Sequence, residues 1–150
     1  MEMFLSRSPE ETARLGEEWG RAAAVGWVVG LRGDLGAGKT ELVKGFARGL
    51  DVKVRVQSPT FALVNHYTGG RLDLFHLDLY RLDSTAQIVG AGLEEYLGQP
   101  AGVAVIEWID RWLGLDPAAF GARRPRRYRH VWIETVSEDE RRITYEDFGS

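Results

Sequence analysis

The sequence contains no cysteine in its 150 residues. This absence excludes disulfide bonds, thiolate metal sites and a cysteine nucleophile together. It fits a reducing compartment, where structural disulfides are rare. Any metal or catalytic site in this chain must therefore work without a thiolate.

Long apolar runs are also missing. The first residues, MEMFLSRSPEETARL, have no apolar core of signal-peptide length, and no uninterrupted run is long enough to cross a bilayer. The formal net charge of -3 gives no general reason to expect a nucleic acid or an anionic membrane as a partner. We therefore expect a cytoplasmic protein without membrane contact, with residues 1–150 forming a single domain.

Hydrophobic periodicity predicts helices alternating with strands. Ser8 followed by Pro9 and Glu11 is typical of a helix start, and the apolar spacing that follows predicts a helix over residues 9–23. GWVVGLR, residues 26–32, predicts a buried strand that leads into a glycine-rich loop, and a second helix begins at Lys39.

The second half of the chain is richer in strand patterns. LDLFHLDLYRL, residues 72–82, alternates as a strand with His76, Asp78 and Tyr80 on its polar face, and TGG predicts a hairpin with residues 61–67. Another strand is predicted over residues 102–108, and residues 130–136 and 141–148 should form a final hairpin. The fold class is α/β, a P-loop NTPase-like three-layer fold with a mostly parallel central sheet and antiparallel hairpin additions.

The glycine-rich loop carries the chemistry. Gly33, Gly38, Lys39 and Thr40 satisfy the pattern G-x-x-x-x-G-K-[ST] between a strand and a helix, as this motif requires. Glycines allow successive backbone N–H groups to face a phosphate, lysine bridges the β- and γ-phosphates, and the threonine hydroxyl binds Mg²⁺. The nucleotide-binding loop consists of residues Gly33, Asp34, Leu35, Gly36, Ala37, Gly38, Lys39, Thr40 and Glu41.

A site that hydrolyses a nucleotide needs a carboxylate at the end of a neighbouring strand, to hold Mg²⁺ or to orient water. Glu107 follows the apolar run VAVI, which delivers an acid to the carboxyl end of the sheet. Asp78 is the other candidate, although a solvated edge strand would explain it equally well. Thr60, in SPTF, could sense the γ-phosphate or Mg²⁺, or simply belong to a turn.

Five segments in this order, GDLGAGKT, SPTFALV, HLDLYRL, GLEEYL and VIEW, resemble the TsaE (YjeE) family of bacterial P-loop ATPases. The resemblance implies an ATP- and Mg²⁺-dependent protein that supports threonylcarbamoyladenosine formation beside the tRNA anticodon, with TsaB-like and TsaD-like partners. It implies that Lys39 and Thr40 contact phosphate and Mg²⁺, that Asp78 is a second Mg²⁺ acid, and that Glu107 and Trp108 form the catalytic pair. Thr60 resembles the first switch threonine of the family.

The sequence also departs from the family pattern. Glu41 stands where the family usually has a second threonine, so a hydroxyl contact to the α-phosphate is lost. In IEWID, Ile109 and Asp110 replace the usual proline and glutamate. Residues 83–92, DSTAQIVGAG, lack the usual acidic and leucine-rich character of this segment.

Three other functions are alternatives to an ATPase: a GTPase, a small-molecule kinase and a nucleotide-dependent binding module. A GTPase needs an N-K-x-D motif, and the only asparagine, Asn65, is followed by His66, which excludes that class. RRPRRYR, Arg123 to Arg129, could be the arginine-bearing lid of a small-molecule kinase, a patch for tRNA or an acidic partner, or a solvated connector. A binding module that uses ATP only as a conformational ligand is the third alternative.

Overall fold

The structure is a computed structural model that describes residues 1–33, 38–53, 55–56 and 63–149. Its elements are β1 (Glu2–Ser6), α1 (Pro9–Ala22), β2 (Trp27–Gly33), α2 (Lys39–Gly49), β3 (Val64–Tyr67), β4 (Leu74–Asp78), α3 (Thr85–Gly90), α4 (Glu94–Leu97), β5 (Val103–Glu107), α5 (Asp110–Leu113), β6 (Arg127–Thr135) and β7 (Arg141–Phe148). Two 3-10 turns, Pro117–Ala119 and Gly121–Arg123, lie between α5 and β6.

The strands form one mixed sheet of seven, in the order β1-β7-β6-β2-β5-β4-β3. The four central strands are parallel, because β2 pairs with both β5 and β6 and β4 pairs with β5 in that sense. Antiparallel pairs extend the sheet at both ends, with β7 and β1 beyond β6 and β3 beyond β4. The α/β class with a parallel centre and hairpin additions is confirmed, and the sheet as a whole is mixed.

Apolar side chains cover both faces of this sheet. One core packs α1 and α2 against β2 and β5, with Trp19, Phe46 and Leu50 among its largest members. The other packs α3, α4 and α5 on the opposite face, where Ile88 and Ile109 are fully buried. Burying the core strands on both sides explains why β5, VAVIE, is apolar up to its final acid.

Helices α1 and α2 approach each other closely because both carry glycine at the contact. A Cβ added at Gly16 would overlap the carbonyl of Leu42, and one added at Gly45 would overlap the carbonyl of Ala13. Ser8 caps α1 by accepting a hydrogen bond from the Glu11 backbone N–H at 3.1 Å, as its sequence predicts. The start of α1 is thereby fixed beside the start of α2, which lies next to the glycine-rich loop.

Most predicted elements are confirmed, and two interpretations are wrong. Strand β4 lies between β5 and β3, so Asp78 is not on a solvated edge, and His76 is fully buried rather than on a polar face. The segment from Arg123 to Arg129 is not simply a connector, because its last three residues belong to β6. Across the described part of the chain, no helix combines the length and apolarity needed to span a bilayer.

Candidate active site

Two carboxylates meet at the carboxyl edge of the parallel strands. Asp78 ends β4 and Glu107 ends β5, and the two residues are partners in the register of these strands. On its other side Glu107 is paired with Leu31 of β2, two residues before Gly33. The topology therefore brings both predicted acids to the end of the strand that leads into the glycine-rich loop.

Glu107 is held from within the sheet by a histidine. The His76 Nε2 atom lies 2.6 Å from Glu107 Oε2, and the side chains are 0% and 7% exposed. The two residues are on neighbouring parallel strands, His76 on β4 and Glu107 on β5. The sequence pattern does not predict this contact, because the strict alternation of residues 72–82 assigns His76 to a polar face.

Asp78 is a partly buried acid in a negatively charged environment. Burial raises the pKa of its carboxyl, and the charge of Glu107 raises it as well. The backbone N–H of Tyr80, which donates to Asp78 Oδ1 at 2.9 Å, and the charges of Lys39 and His76 act in the opposite direction. The net effect disfavours the ionised carboxylate, mainly because of burial, and a cation bound here would favour it.

Lys39 reaches the same point from the start of α2. Its Nζ donates to the Gly33 carbonyl at 2.9 Å and lies 4.2 Å from the ring centroid of Trp108, and the residue is 5% exposed. Gly38, directly before the helix, has a φ of 91°, a left-handed conformation that glycine adopts without strain. The Lys39 ammonium group is therefore held against the edge of the sheet near both acids.

Trp108 forms one wall of the site and is held in an unusual backbone conformation. Its φ is 61°, in the left-handed region that is uncommon for a bulky residue. The next residue, Ile109, donates its N–H to the Leu31 carbonyl at 3.2 Å, so the turn is tied back to β2. The Tyr80 ring packs on Trp108 with the centroids 4.9 Å apart. Such strain is characteristic of functional positions.

These groups line a cavity of about 490 Å³. The lining residues are Pro9, Thr12, Gly38, Lys39, Thr40, Glu41, Asp78, Glu107, Trp108, Asp139 and Arg141. Pro9 and Thr12 come from α1, Asp139 comes from the turn between β6 and β7, and Arg141 is the first residue of β7. Arg141 organises this turn, because its Nη1 donates to the Ser137 and Glu140 carbonyls at 2.9 Å each. A cavity of this volume is within the range of small-ligand sites.

Most of the predicted site residues therefore converge. Gly38, Lys39, Thr40, Glu41, Asp78, Glu107 and Trp108 all line one cavity. Gly33 joins them through its bond to Lys39. Asp34, Leu35, Gly36, Ala37 and Thr60 lie outside the described residues. The contributions of α1 and the β6–β7 turn were not anticipated, since no local motif marks them.

The donors at the cavity suit Mg²⁺ bound together with phosphates. No group of three or more His, Asp or Glu side chains that could hold an ion occurs within residues 1–33, 38–53, 55–56 and 63–149. Mg²⁺ is usually held by one or two carboxylates, waters and substrate phosphates rather than by an all-protein cage. Thr40, Asp78 and Glu107 all line the cavity, and their side-chain oxygens could bind Mg²⁺ directly or through water.

The arginine-rich segment contributes to the fold as well as to the surface. Arg129 binds Asp147 with two hydrogen bonds of 2.6 and 2.9 Å, and its guanidinium lies 4.6 Å from the Tyr145 ring centroid and 4.8 Å from that of Trp19. Arg123 and Arg124 pack over Trp112 and Phe148. Arg126 and Arg127 are exposed. Within the described chain, no residue of this segment lines the cavity.

Comparison with known proteins agrees with the resemblance found in the motifs. Residues 6–143 match the family described as "Threonylcarbamoyl adenosine biosynthesis protein TsaE". The chain is 37% identical over 144 residues to the tRNA threonylcarbamoyladenosine biosynthesis protein TsaE of Bacillus subtilis. The matched region covers 95% of this chain and 84% of the relative. It is 47% identical over 107 residues to the protein of that name from Treponema pallidum, covering 71% of this chain and 78% of the relative. The crystal structure of Bacillus subtilis YdiB is similar with a TM-score of 0.69 at 33% identity, covering 96% and 83% of the two chains.

Proposed function

The chain belongs to the TsaE family, and from this membership and the geometry of the cavity we propose that it binds and hydrolyses ATP in support of tRNA threonylcarbamoyladenosine biosynthesis. The observation that carries the ATPase part is the convergence of Lys39, Asp78 and Glu107 on one cavity at the carboxyl edge of the parallel strands. We take residues 1–150 as one domain and expect it to act in the cytoplasm, where tRNA is modified.

The phosphates are proposed to lie at the start of α2. Lys39 donates hydrogen bonds to the β- and γ-phosphates, and the backbone N–H groups at the beginning of the helix contribute further donors. We expect the backbone N–H groups of the motif that begins at Gly33 and ends at Thr40 to bind the β-phosphate, as the sequence pattern predicts. Glu41 contributes its backbone N–H, because its carboxylate cannot act as the hydroxyl donor that a threonine would provide.

The nucleoside is proposed to extend away from the acids, toward Pro9, Thr12, Asp139 and Arg141. These lining residues come from α1, from the β6–β7 turn and from the first residue of β7, whereas the acids come from the strand ends. With Lys39 fixing the phosphate end, this is the space left for the base and ribose. We expect adenine to be preferred, since the sequence lacks a guanine clamp.

Mg²⁺ is proposed to be held by Thr40 and by the two acids, Asp78 and Glu107, directly or through water. When bound, it neutralises charge on the β- and γ-phosphates. Glu107 is also placed to orient or deprotonate the attacking water, since its carboxylate lines the cavity while its backbone is fixed between β2 and β4. Trp108 and Tyr80 shield this point from bulk solvent.

Hydrolysis by the isolated chain should be slow. No arginine in a recognised finger motif is placed at the γ-phosphate, and such a group can contribute roughly 10³–10⁵ in rate. We propose that a TsaD-like and a TsaB-like protein complete the site by docking against the segments around Thr60 and Arg81, with hydrolysis resetting the complex between rounds. Contact with tRNA is proposed to be indirect or through the exposed arginines of residues 123–129.

The test is phosphate release from Mg-ATP with and without purified TsaB and TsaD, for wild type and Glu107→Gln. Glutamine keeps the size of the side chain and removes the carboxylate. We expect partners to stimulate the wild type and not the variant, while both proteins bind Mg-ATP with similar affinity by calorimetry. Absence of stimulation in the wild type, or equal stimulation of both proteins, would refute the proposal.

A further inference from the structure

A buried hydrogen bond of 2.6 Å joins His76 to Glu107. We propose that His76 is a positioning residue, which holds the Glu107 carboxylate by Oε2 and leaves Oε1 to act in the cavity. This inference rests on the proposed ATPase function, because the task assigned to His76 is to hold the acid proposed for catalysis. His76 itself is fully buried and does not line the cavity, so it acts on the site through the groups around it, and its hydrogen bond is to Glu107.

The hydrogen-bond geometry defines which ring nitrogen carries the proton. At 2.6 Å from a carboxylate oxygen, Nε2 is a donor, and a bond of this length to an ionised acceptor is among the stronger kinds in proteins. The other nitrogen, Nδ1, is buried and has no hydrogen-bond partner among the described residues. A buried N–H without an acceptor would be costly, so the contact with Glu107 favours a proton on Nε2 rather than on Nδ1.

The position of His76 in the sheet explains why it can hold the acid so firmly. It lies on β4, between β5 and β3, so its backbone is fixed by neighbouring strands on both sides. Glutamate has three side-chain torsions, and a carboxylate at a strand end would otherwise adopt several rotamers. A second anchor from the adjacent strand restricts them to one direction, as supporting hydrogen bonds do for metal-binding carboxylates.

A purely structural role for His76 makes a different prediction from a positioning role. If the ring only fills space in the core, its replacement should lower stability and its effect on turnover should not depend on Glu107. If it positions Glu107, removing the hydrogen bond should cost nothing further once Glu107 has lost its carboxylate. A double-mutant cycle separates these cases.

The experiment compares His76→Leu, which removes the donor, with His76→Gln, whose side-chain N–H can occupy the place of Nε2. Each is made in the wild-type and Glu107→Gln backgrounds and assayed for partner-stimulated phosphate release, ATP affinity and thermal unfolding. We expect His76→Leu to lower kcat by roughly 10–100-fold with ATP affinity nearly unchanged. His76→Gln should recover most of the loss, and neither change should lower the residual rate of Glu107→Gln. His130→Leu, a buried histidine away from the cavity, controls for lost core packing.

Equal loss in the Leu and Gln variants, or a further loss in the Glu107→Gln background, would overturn the positioning role. An independent measurement does not require turnover at all. In protein labelled with ¹⁵N-histidine, the His76 Nε2–H proton should be visible and slow to exchange in the wild type, and lost in Glu107→Ala. A proton on Nδ1 instead would refute the inference even if ATP hydrolysis is confirmed. If the wild type does not hydrolyse ATP but this proton is found, the proposed function fails and the contact stands.

Discussion

Asp78 and Glu107 are direct register partners at the carboxyl ends of two adjacent parallel strands. Two carboxylates in this arrangement repel each other, and the pKa of Asp78 is raised by burial and by the charge of Glu107. The folded protein therefore carries an electrostatic cost at a place where a divalent cation and Lys39 would offset it. Such a cost is expected where a sheet is built to bind a cation rather than only to be stable.

Asp78→Asn should make the nucleotide-free protein slightly more stable at pH 7. The substitution removes a partly buried charge next to Glu107 and keeps the size of the side chain, so we expect a rise in melting temperature of a few °C at most. The additional stabilisation by Mg-ATP should shrink, because one oxygen ligand becomes a neutral amide. Thermal unfolding with and without Mg-ATP measures both effects. An unchanged increment with Mg-ATP would show that Asp78 takes no part in binding the cation.

Lys39→Ala should weaken ATP binding while leaving the fold intact. A hydrogen bond to a charged group contributes about 1.5–3 kcal/mol, which corresponds to a loss of roughly 10- to 150-fold in affinity. Lys44→Ala is the matched control, because Lys44 lies on the same helix but is exposed and pairs only with Glu41 at 3.4 Å. Calorimetric titration with Mg-ATP distinguishes the two variants. Equal affinities would show that the phosphates do not bind at the start of α2.

The sequence predicted the parts of this site that local chemistry defines. Gly38 and Lys39 belong to a contiguous motif whose strand and helix context can be recognised from periodicity alone. His76 escaped prediction because alternation distinguishes the two faces of a strand but does not show that both faces are buried. Arg129 was grouped with its basic neighbours, since only the tertiary contact with Asp147 separates it from them. The contacts of His76 with Glu107 and of Arg129 with Asp147 join residues far apart in the sequence, so a local sequence pattern does not reveal them.

Replacing arginines of the basic segment should have two different outcomes. Arg129→Gln should destabilise the fold by about 1–3 kcal/mol, because it removes a bidentate pair with Asp147 and the stacking on Trp19 and Tyr145. The double change of Arg126 and Arg127 to Gln should leave stability and ATP binding unaffected, since both side chains are exposed. If these two bind tRNA or a partner, association should weaken with a reduced salt dependence. Denaturant unfolding tests the effect of Arg129→Gln on stability. Binding assays at two salt concentrations test the effect of the double change on association.

Stability should fall with acid partly because of His130. The pKa of this residue is lowered from 6.5 to about 4, chiefly by burial and also by the Arg32 charge, while the Asp110 charge opposes the change. Between these values the unfolded chain binds a proton that the folded chain does not, so the stabilisation is complete above pH 6.5 and is lost as the pH falls toward 4. The difference corresponds to roughly 3 kcal/mol. In His130→Gln, which can still accept from the Tyr128 hydroxyl, denaturant titrations should show a smaller loss between pH 7 and 4.5. Parallel curves for the two proteins would contradict this.

The contact between α1 and α2 should tolerate no side chain at Gly45. A Cβ there would overlap the backbone of Ala13, and main chain cannot move aside as the end of a flexible side chain could. Forcing atoms into a packed contact typically costs about 1–3 kcal/mol, so Gly45→Ala should lower the melting temperature despite the better helix propensity of alanine. Because α1 carries Pro9 and Thr12 into the cavity, displacing it should also weaken ATP binding.

Gly90→Ala provides the control for this prediction. Gly90 is the last residue of α3, and a Cβ at this position would meet nothing within 4 Å. The same chemical change should therefore be neutral or slightly stabilising there, and it should leave ATP affinity unchanged. Thermal unfolding and calorimetric titration of both variants separate a steric cost at the helix contact from a general effect of replacing glycine. If Gly45→Ala is as stable as the wild type, the close approach of the two helices is not what holds α1 beside the cavity.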